Sequence, residues 1–470
     1  MRRKTTNGTG GTEIGPHPAM KVHDRGVTHA QTSTESDPAR EVVALCRRLI
    51  QFDTSNYGDD PRSQEREAAE YVAGLLSDVG LDPELVESAP GRTSVFARVD
   101  GEDPNESALL LHGHLDVVPA NADDWTHPPF AAEIHEDDGV PMVWGRGAID
   151  MKDMDAMILS VVRDRLRSGR RPRRPLVLSF LADEEAGGLF GSHWLVEHRP
   201  DLFEGVGVAI GEVGGFSFTV DDHLRLYLIE AAEKGISWMQ LTAEGRAGHG
   251  SMVNHENAVT RLAETVARIG SHEFPVTMTA TVEHFLSEVR SALGLPDDTS
   301  AEAVVARLGP IAPMIGATLR HSAAPTMLDA GYKTNVIPGS ATAIVDGRFL
   351  PGRREEFLAT IDGLLGPDIT RTTLVDDIAF EAPFEGPVVD AMVKSLLEHD
   401  PQARAVPYTL SGGTDAKAFA MLGIPGYGFA PLRLPPSLAF ADLFHGVDER
   451  VPVDALEFGA RVLDRFLDLA

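Results

Sequence analysis

The run Pro175-Leu-Val-Leu-Ser-Phe-Leu-Ala-Asp183-Glu184-Glu185-Ala-Gly-Gly188 constrains this chain more than any other stretch. Its first half is short and apolar, bounded by Pro and Gly, the pattern of a buried strand in a largely parallel sheet. Three consecutive carboxylates then fall at the strand's carboxyl end, the edge at which open α/β sheets bind ligands. Adjacent like charges beside a buried strand are costly unless a positive group meets them. No Lys or Arg follows within the next several residues, so a bound cation is the economical expectation.

A chain of 470 residues exceeds one ordinary core and favours two domains. The net charge of −29 disfavours nucleic acid and anionic membranes as partners. The sole cysteine, Cys46, excludes intramolecular disulfides and thiolate-rich metal sites. It falls in a helical pattern with Val42, Leu45, Leu49 and Ile50, the place of a small core residue. Met1-Arg-Arg-Lys4 lacks the apolar stretch of a secretion signal, and no run approaches the roughly 20 apolar residues of a membrane span. A cytoplasmic protein is the expectation.

Along the chain, residues 1–36 are polar and aperiodic and read as a disordered tail. Helices are expected from Asp37-Pro38 and over about 65–79, and strands over 93–99 and 108–111. The second strand runs into His112-Gly-His114-Leu-Asp116, and Trp144-Gly-Arg-Gly-Ala-Ile-Asp150 forms a glycine-rich turn before a helix. Seven arginines in 163–174 read as a solvated loop, and another short apolar run ends on Glu212.

Near Glu233 the texture changes. A half-exposed strand is expected over 235–244, then a helix at about 256–269 and a helical, loop-rich section over 278–322. Strands at about 332–336 and 341–349, a helix at about 353–365 and a strand at about 370–375 follow. The alternating αβ pattern resumes near Pro387. One domain, 37–232 with 385–470, is therefore expected to be interrupted by an α+β insert over 233–384.

No Gly-x-Ser-x-Gly elbow, P-loop or His-Glu-x-x-His is present. Gly145-Arg-Gly147 begins like a dinucleotide fingerprint, but Asp150 stands where the third glycine should be and would face the pyrophosphate. What remains is a set at strand ends: His114, Asp116, Asp150, Glu184, Glu185, Glu212 and His445. Imidazole and carboxylate without thiolate suit zinc, manganese or cobalt. Residues two apart on a strand share a side, so Asp116 can accept the proton of the His114 nitrogen that faces away from a metal.

Singly these signals are weak. Their order and context, Gly113-His114-Leu-Asp116-Val-Val-Pro, Gly145-Arg-Gly-x-x-Asp150-Met-Lys, Asp183-Glu-Glu185 and a late His445, resemble the zinc aminoacylase family. That family includes acetylornithine deacetylase, succinyl-diaminopimelate desuccinylase, dipeptidases and glutamate carboxypeptidase. The resemblance implies an α/β fold: a phosphorylase/hydrolase-like three-layer αβα catalytic domain with a mostly parallel sheet, interrupted by a ferredoxin-like lid that dimerises. It implies two divalent metal ions bridged by Asp150 and a water, with His114 and Glu212 on one, Glu185 and His445 on the other. Asp116 would orient His114, Glu184 would be the general base, and the Asp150-Met151 peptide would be cis.

Gly245-Arg-Ala-Gly-His249-Gly-Ser is similar to the family's lid segment, which makes His249 an oxyanion donor to the neighbouring subunit of a homodimer. Asn335, in Lys333-Thr-Asn-Val-Ile-Pro338, and Arg348 resemble residues that hold a substrate carboxylate; Gly413 and Thr414 resemble the loop closing the other side. The opposing reading is that Asn335 caps a turn and Arg348 pairs with a surface acid. His112, His127, His135 and His255 lie outside the matched positions and are set aside as surface or core residues. The section 278–322 makes the lid longer than the family's plainest members need.

The function implied is hydrolysis of an amide or peptide bond in an N-acyl amino acid or short peptide with a free carboxylate. The alternatives are an amidase or carbamoylase acting on a non-peptide amide, and a non-catalytic relative that binds metal or ligand.

Overall fold

The computed structural model describes residues 36–470 apart from Asp59 and Asp222. The expected tail lies, except for Ser36, outside these residues. The Leu176–Leu181 strand is buried along its whole length, parallel to Ala108–His114 on one side and antiparallel to Arg92–Val99 on the other. Val206–Gly211 lies parallel to the Ala108 strand, and Gly426–Gly428 parallel to that in turn. This parallel centre sits within a ten-stranded mixed sheet. Glu84–Ala89 closes one side, and Leu224–Glu233 carries Phe216–Asp221, Arg404–Leu410 and Phe380–Glu381 on the other.

Side chains leave the centre alternately, as the period of a strand requires. Leu109 and Leu111 join a core with the helices Val42–Ile50, Arg66–Ser77, Lys152–Arg167 and Val453–Leu469. Leu110 and Val177 face the opposite layer, which holds Ser192–His198 and Ala416–Met421. The result is a three-layer αβα sandwich.

A separate sheet is built from Gly235–Glu244, Ser322–Ala330, Ser340–Phe349 and Ile369–Asp377. All of its pairs are antiparallel, and the second, third, first and fourth of these strands lie side by side, the ferredoxin-like order. The helices Ala258–Gly270 and Arg354–Leu364 cover one face, where Leu262, Ile269, Phe357 and Ile361 meet Met239, Leu241 and Val345. Asn257 fixes the start of the first helix by accepting from the N–H groups of Val259 and Thr260.

Three expectations are corrected. The strand expected at 332–336 is instead Ser322–Ala330, and only Val336–Ile337 of the later stretch pairs, with Gly248–His249. Ser322–Ala330 lies at the sheet edge, shifts register at Pro325 and leaves most side chains exposed, so it carries neither an apolar period nor strand-like composition. The helical section also lies elsewhere. Val282, Phe285, Leu286, Val289, Val304 and Ile315 belong to the core that holds Tyr227, Leu228, Val406 and Tyr408, so the section covers the outer strands of the large sheet.

The arginine cluster is only partly solvated: Arg167, Arg171 and Arg173 are exposed, but Arg163 and Arg165 are buried on the last turns of Lys152–Arg167. Arg165 is buried and reaches Asp464 at 2.6 Å and Asp468 at 2.5 Å. Arg163 and Arg167 meet Glu41, Arg170 meets Asp164 and Asp464, and Arg173 and Arg174 share Glu106. Apart from Asp164, the acids come from distant parts of the chain, which is why no local signal announces them. Among the described residues, no helix is long and apolar enough to cross a membrane.

If the 280–318 section is integral to the large core, Phe285→Ala should cost about 3–5 kcal/mol of global stability. The midpoint of urea unfolding should fall as a single transition followed by circular dichroism. A mutant that only adds a minor early transition would show that the section unfolds on its own.

Candidate metal centre

Three strand ends and two loops deliver the site. His114 closes Ala108–His114, Glu184 and Glu185 lie on the tight turn after Leu176–Leu181, and Glu212 directly follows Val206–Gly211. Asp150 comes from the turn before Lys152–Arg167, and His445 from the loop after Phe440–Asp442. The Asp150 carboxylate faces two imidazoles: Oδ1 is 3.1 Å from His114 Nε2, and Oδ2 is 3.2 Å from His445 Nε2. His114 Nε2 also lies 3.5 Å from Glu212 Oε2 and 3.8 Å from Glu184 Oε2, while His445 Nε2 lies 3.1 Å from Glu185 Oε2. The Asp150-Met151 peptide is cis.

Backbone conformation makes this convergence possible. Gly147 has φ +85°, and a Cβ there would stand 2.7 Å from Val117 Cγ1, so only glycine lets the Asp150 turn approach so closely. Asp183 and His445 also occupy the left-handed region, at φ 69° and 58°. A non-glycine residue held there is a local cost that clusters at functional sites.

The electrostatics ask for cations. Burial, then the charges of Glu212, Glu185 and Asp415, push the Glu184 carboxyl well above its ordinary range, with His114 alone opposing. Burial also raises Glu212, to about 8, against the pull of His114. Burial and Asp150 raise Glu185. Burial opposes charge on His114, yet Glu212, Asp150 and Glu184 hold its imidazole well above the usual value; hydrogen bonds to Asp150 and Glu185 lift His445 to about 10. By itself the cluster answers four carboxylates with at most two protonated imidazoles. Two divalent ions would balance the four carboxylates with both imidazoles neutral, as ligation requires. Donor atoms of His114, Glu184 and Glu212, and of His114, Asp150 and Glu185, lie within 4.8 Å of one another. The residues present therefore fit a pair of divalent metals.

A shell of buried groups fixes these side chains, and it differs from expectation at Asp116. The His114 Nδ1 lies 3.0 Å from the backbone carbonyl of Asp116 and 3.7 Å from its carboxylate. A carbonyl can only accept, so Nδ1 carries a proton and Nε2 is left for a metal. The strand ends at His114, and the same-side rule does not extend past it. The Asp116 carboxylate instead accepts from the N–H groups of Glu184 and Glu185, both at 3.1 Å, and from Asn56 Nδ2 at 2.7 Å. Asp116 thus holds the turn that presents the two glutamates.

Other supporting residues escape sequence reasoning. Asp183 points away from the cluster into an ion pair with Arg92, which also lies 3.3 Å from Glu65. Buried Glu449 accepts from Arg146 Nη1 at 2.7 Å and from the N–H groups of Gly147, Ile149 and Asp150 at 3.0, 2.8 and 3.3 Å. Arg146 also donates to the His445 carbonyl at 3.4 Å. The pair therefore ties the Asp150 turn to the His445 loop. Asp415 is buried, and its carboxyl is raised to about 7 by burial, with His114 opposing. A carboxylate four residues after His445 was the one sequence hint to Glu449; Arg92 and Asn56 offered none.

Comparison with known proteins adds to this geometry. The family model described as peptidase family M20/M25/M40 matches residues 110–469. The chain belongs to that family. Like its members, it is a hydrolase of amide and peptide bonds. An N-fatty-acyl-amino acid synthase/hydrolase, PM20D1 of Xenopus tropicalis, is 28% identical over 447 residues, covering 89% of this chain and 83% of that protein. Aminoacylase-1 of Dictyostelium discoideum is 26% identical over 399 residues, covering 85% and 91%. The fold matches the M20 family metallo-carboxypeptidase Sso-CP2 of Sulfolobus solfataricus with a TM-score of 0.68 at 18% identity, covering 92% and 99%. The dipeptidase Dug1p of Saccharomyces cerevisiae gives 0.66 at 17%, covering 91% and 95%.

The remaining expected residues make no contact with the candidate metal ligands among the hydrogen bonds and ion pairs described. His249 is exposed on the short ribbon paired with Val336–Ile337; its Nδ1 lies 2.8 Å from Ser251 Oγ and accepts from the Ser251 N–H at 3.2 Å. The Asn335 carbonyl accepts from the Gly250 N–H at 2.8 Å. Arg348 forms a two-pronged pair with Asp346, at 2.7 and 3.1 Å, as the opposing reading held. Thr414 is buried, with its N–H and hydroxyl both given to Glu233, at 3.0 and 2.6 Å. A Cβ on Gly413 would stand 2.7 Å from Lys417 Nζ.

Two outcomes follow for metal binding. Glu449→Ala strands three buried N–H groups and Arg146, so dialysed protein should retain less metal than wild type; full retention would show that the turn holds without Glu449. His445 and Glu212, raised to about 10 and about 8, keep their protons until the pH climbs to those values. Ligation must displace those protons, so metal affinity should rise from pH 6 to pH 8, read by competition with a chromophoric chelator.

Proposed function

We propose that this protein is a dinuclear-metal hydrolase that cleaves the amide bond of N-acyl amino acids or short peptides bearing a free carboxylate. One observation carries the reading: Asp150 turns one oxygen to His114 and the other to His445, the disposition of a carboxylate shared by two cations. His114 and Glu212 would hold one ion, Glu185 and His445 the other, and Asp150 both. Zinc suits this donor set best, with cobalt or manganese as substitutes. The bound ions supply a water of lowered pKa and polarise the carbonyl it attacks.

Glu184 is the general base. Its carboxyl sits beside Glu185 but 3.8 Å from His114 Nε2, and burial raises its affinity for a proton. It takes the proton of the attacking water and passes it to the amine nitrogen as the C–N bond breaks. On His249, Nδ1 accepts from the Ser251 N–H, so in the neutral ring Nε2 bears the proton. That is the tautomer an oxyanion donor needs, and in a homodimer the exposed ribbon offers it to the neighbouring subunit. Arg348 takes the substrate carboxylate by exchanging Asp346 for it, since the guanidinium fork serves either partner, and Asn335, beyond the opposite end of the Ser340–Phe349 strand, contributes from the ribbon that carries His249. Gly413 and Thr414 act at the border of the site by setting the loop's position.

In this reading, 37–232 with 385–470 is the catalytic domain, the 280–318 section joins it through the large core, and the rest of 233–384 is the lid. The names of the PM20D1 and aminoacylase-1 relatives favour an acyl amino acid over a plain amide. Buried, unpaired Cys46 is in keeping with a reducing cytoplasm.

The test is hydrolysis of N-acyl amino acids and their carboxamides by zinc-loaded protein. Wild type should prefer the free acids, and Glu184→Ala should keep its metal while losing about 10²–10⁴-fold in kcat. Turnover unchanged in Glu184→Ala would remove the base, and equal rates on acid and carboxamide would remove the carboxylate requirement.

A further inference from the structure

Between the helices Val42–Ile50 and Arg66–Ser77 the chain forms a short strap beside Leu115-Asp116-Val117, the residues just past His114. Thr54 Oγ1 donates to the Leu115 carbonyl at 2.6 Å, and the Val117 N–H to the Thr54 carbonyl at 3.2 Å. The Asn56 N–H donates to the Val117 carbonyl at 2.9 Å. Buried Lys152, two residues past Asp150, gives its ammonium to the Phe52 carbonyl at 3.0 Å and to Thr54 Oγ1 at 2.9 Å. The strap thus already grips the helix start that follows the Asp150 turn. The buried Asn56 side chain reaches towards the other turn of the site. Its Nδ2 donates to Asp116 Oδ2 at 2.7 Å and to Asp183 Oδ1 at 3.1 Å, so both hydrogens are used. Its Oδ1 accepts from the Gly58 N–H at 2.8 Å, with Arg92 Nη1 3.5 Å away. Carboxylates only accept, and N–H groups and guanidinium only donate, so one orientation of the amide satisfies all four neighbours.

We propose that Asn56 is a positioning residue for the hydrolysis: by bridging Asp116 and Asp183 it fixes the turn that aims Glu184 and Glu185 into the paired centre. The inference rests on the reading of Glu184 as base and Glu185 as ligand. The two bridged acids flank that turn. Asp116 accepts both of its N–H groups, while Asp183 directly precedes it and accepts from the Phe190 N–H at 2.7 Å. Asp183 has Arg92 as well, but among the described hydrogen bonds Asn56 is the one side-chain donor to the Asp116 carboxylate. Both acids are buried, so without the amide they would face each other with a donor missing, and the turn would follow whichever of them moved. A lysine in the same place would add a positive charge beside two metal ions. The neutral amide orders the acids without one. Because the strap also holds Lys152, one buried segment sets the Glu184–Glu185 turn against the Asp150 turn.

The test uses the full chain, an N-acyl amino acid substrate and saturating zinc, with folding of each variant checked by circular dichroism. Asn56→Ala should lower kcat about 10–100-fold, the usual range for a residue that orients a metal ligand. KM should stay unchanged, because the lost donors served the turn's own acids. After dialysis without added zinc, the variant should retain less metal than wild type. Asn56→Asp keeps the size but sets a third carboxylate against Asp116 and Asp183, so it should lose more than Asn56→Ala. A residue that merely fills space would give the reverse order, and that order would overturn the proposal. In the Glu184→Ala background, Asn56→Ala should add little further loss of kcat, since both changes act at one group. A full multiplicative loss there would overturn it as well. Wild-type kcat and zinc retention in Asn56→Ala, beside a Glu184→Ala enzyme that has lost turnover, would remove the role of Asn56 alone. Unchanged turnover in Glu184→Ala would remove the reading beneath it, and the inference with it. Should Asn56→Ala not fold, Asn56→Ser, which keeps one donor, takes its place in the same comparisons.

Discussion

Asp150 stands between two imidazoles, 3.1 Å from one and 3.2 Å from the other, and the surrounding structure depends on that position. Glu184, Glu185 and Glu212 crowd the same space. Two carboxylates about 4 Å apart repel by roughly 4 kcal/mol at the effective dielectric of a protein site. Folding alone would relieve such repulsion by turning the side chains out to water or by taking up protons. Turning outward has been made hard, and the raised carboxyls of Glu184, Glu185 and Glu212 hold protons that a metal ion must displace. Glu212 and Asp150 are buried, the Glu184 and Glu185 N–H groups are pinned to Asp116, and the Asp150 turn is pinned to Glu449. The chain therefore holds its carboxylates together and leaves cations as the remedy.

The surrounding groups divide that task by charge. The residues that face the cluster are held through their backbones: Asp116 takes the N–H groups of Glu184 and Glu185, and Glu449 that of Asp150. Of the anions that face away, Asp183 and Glu65 share Arg92, and Glu449 has Arg146. Removing one partner from such a buried pair typically costs about 3–5 kcal/mol, so each pair fixes one geometry more firmly than a solvated pair could. Because Arg146 also reaches the His445 carbonyl, the two sides of the paired centre are joined through one buried ion pair.

The parallel centre, the insert and the candidate ligands His114, Glu185 and Glu212 were legible because these residues lie where short apolar strands stop, whereas Asp150 and His445 stood out only by motif. Position along a strand is local information. Side-chain pairing across the fold is not, and it produced the misreadings. Asp183, Glu184 and Glu185 read as three charges seeking one cation, yet Arg92 answers Asp183 from a strand some ninety residues earlier. The arginines of 163–174 read as solvated because Asp464, Asp468 and Glu41 lie far away along the chain. The Asp116 carboxylate read as the acceptor of the His114 proton because strand geometry was carried two residues past the strand's end; the Asp116 carbonyl is the acceptor. His127 and His135 were set aside as isolated, and only the hairpin brings them face to face.

The loop at Gly413 and Thr414 connects the site to the insert. The chain enters the insert at Glu233-Lys234 and leaves it after Asp377. Thr414 holds Glu233 by two hydrogen bonds, and Lys417 lies 3.2 Å from Asp377, so one loop grips both crossings. Glu233 and Lys417 are buried, and burial pushes the Glu233 carboxyl up to about 7 while Lys417 opposes it. Both crossings therefore pivot on groups that cannot easily exchange partners with water. Any reorientation of the insert must occur while this grip holds, or by breaking it. That makes the loop's first duty mechanical: Thr414 and Gly413 set where the insert stands before any substrate arrives.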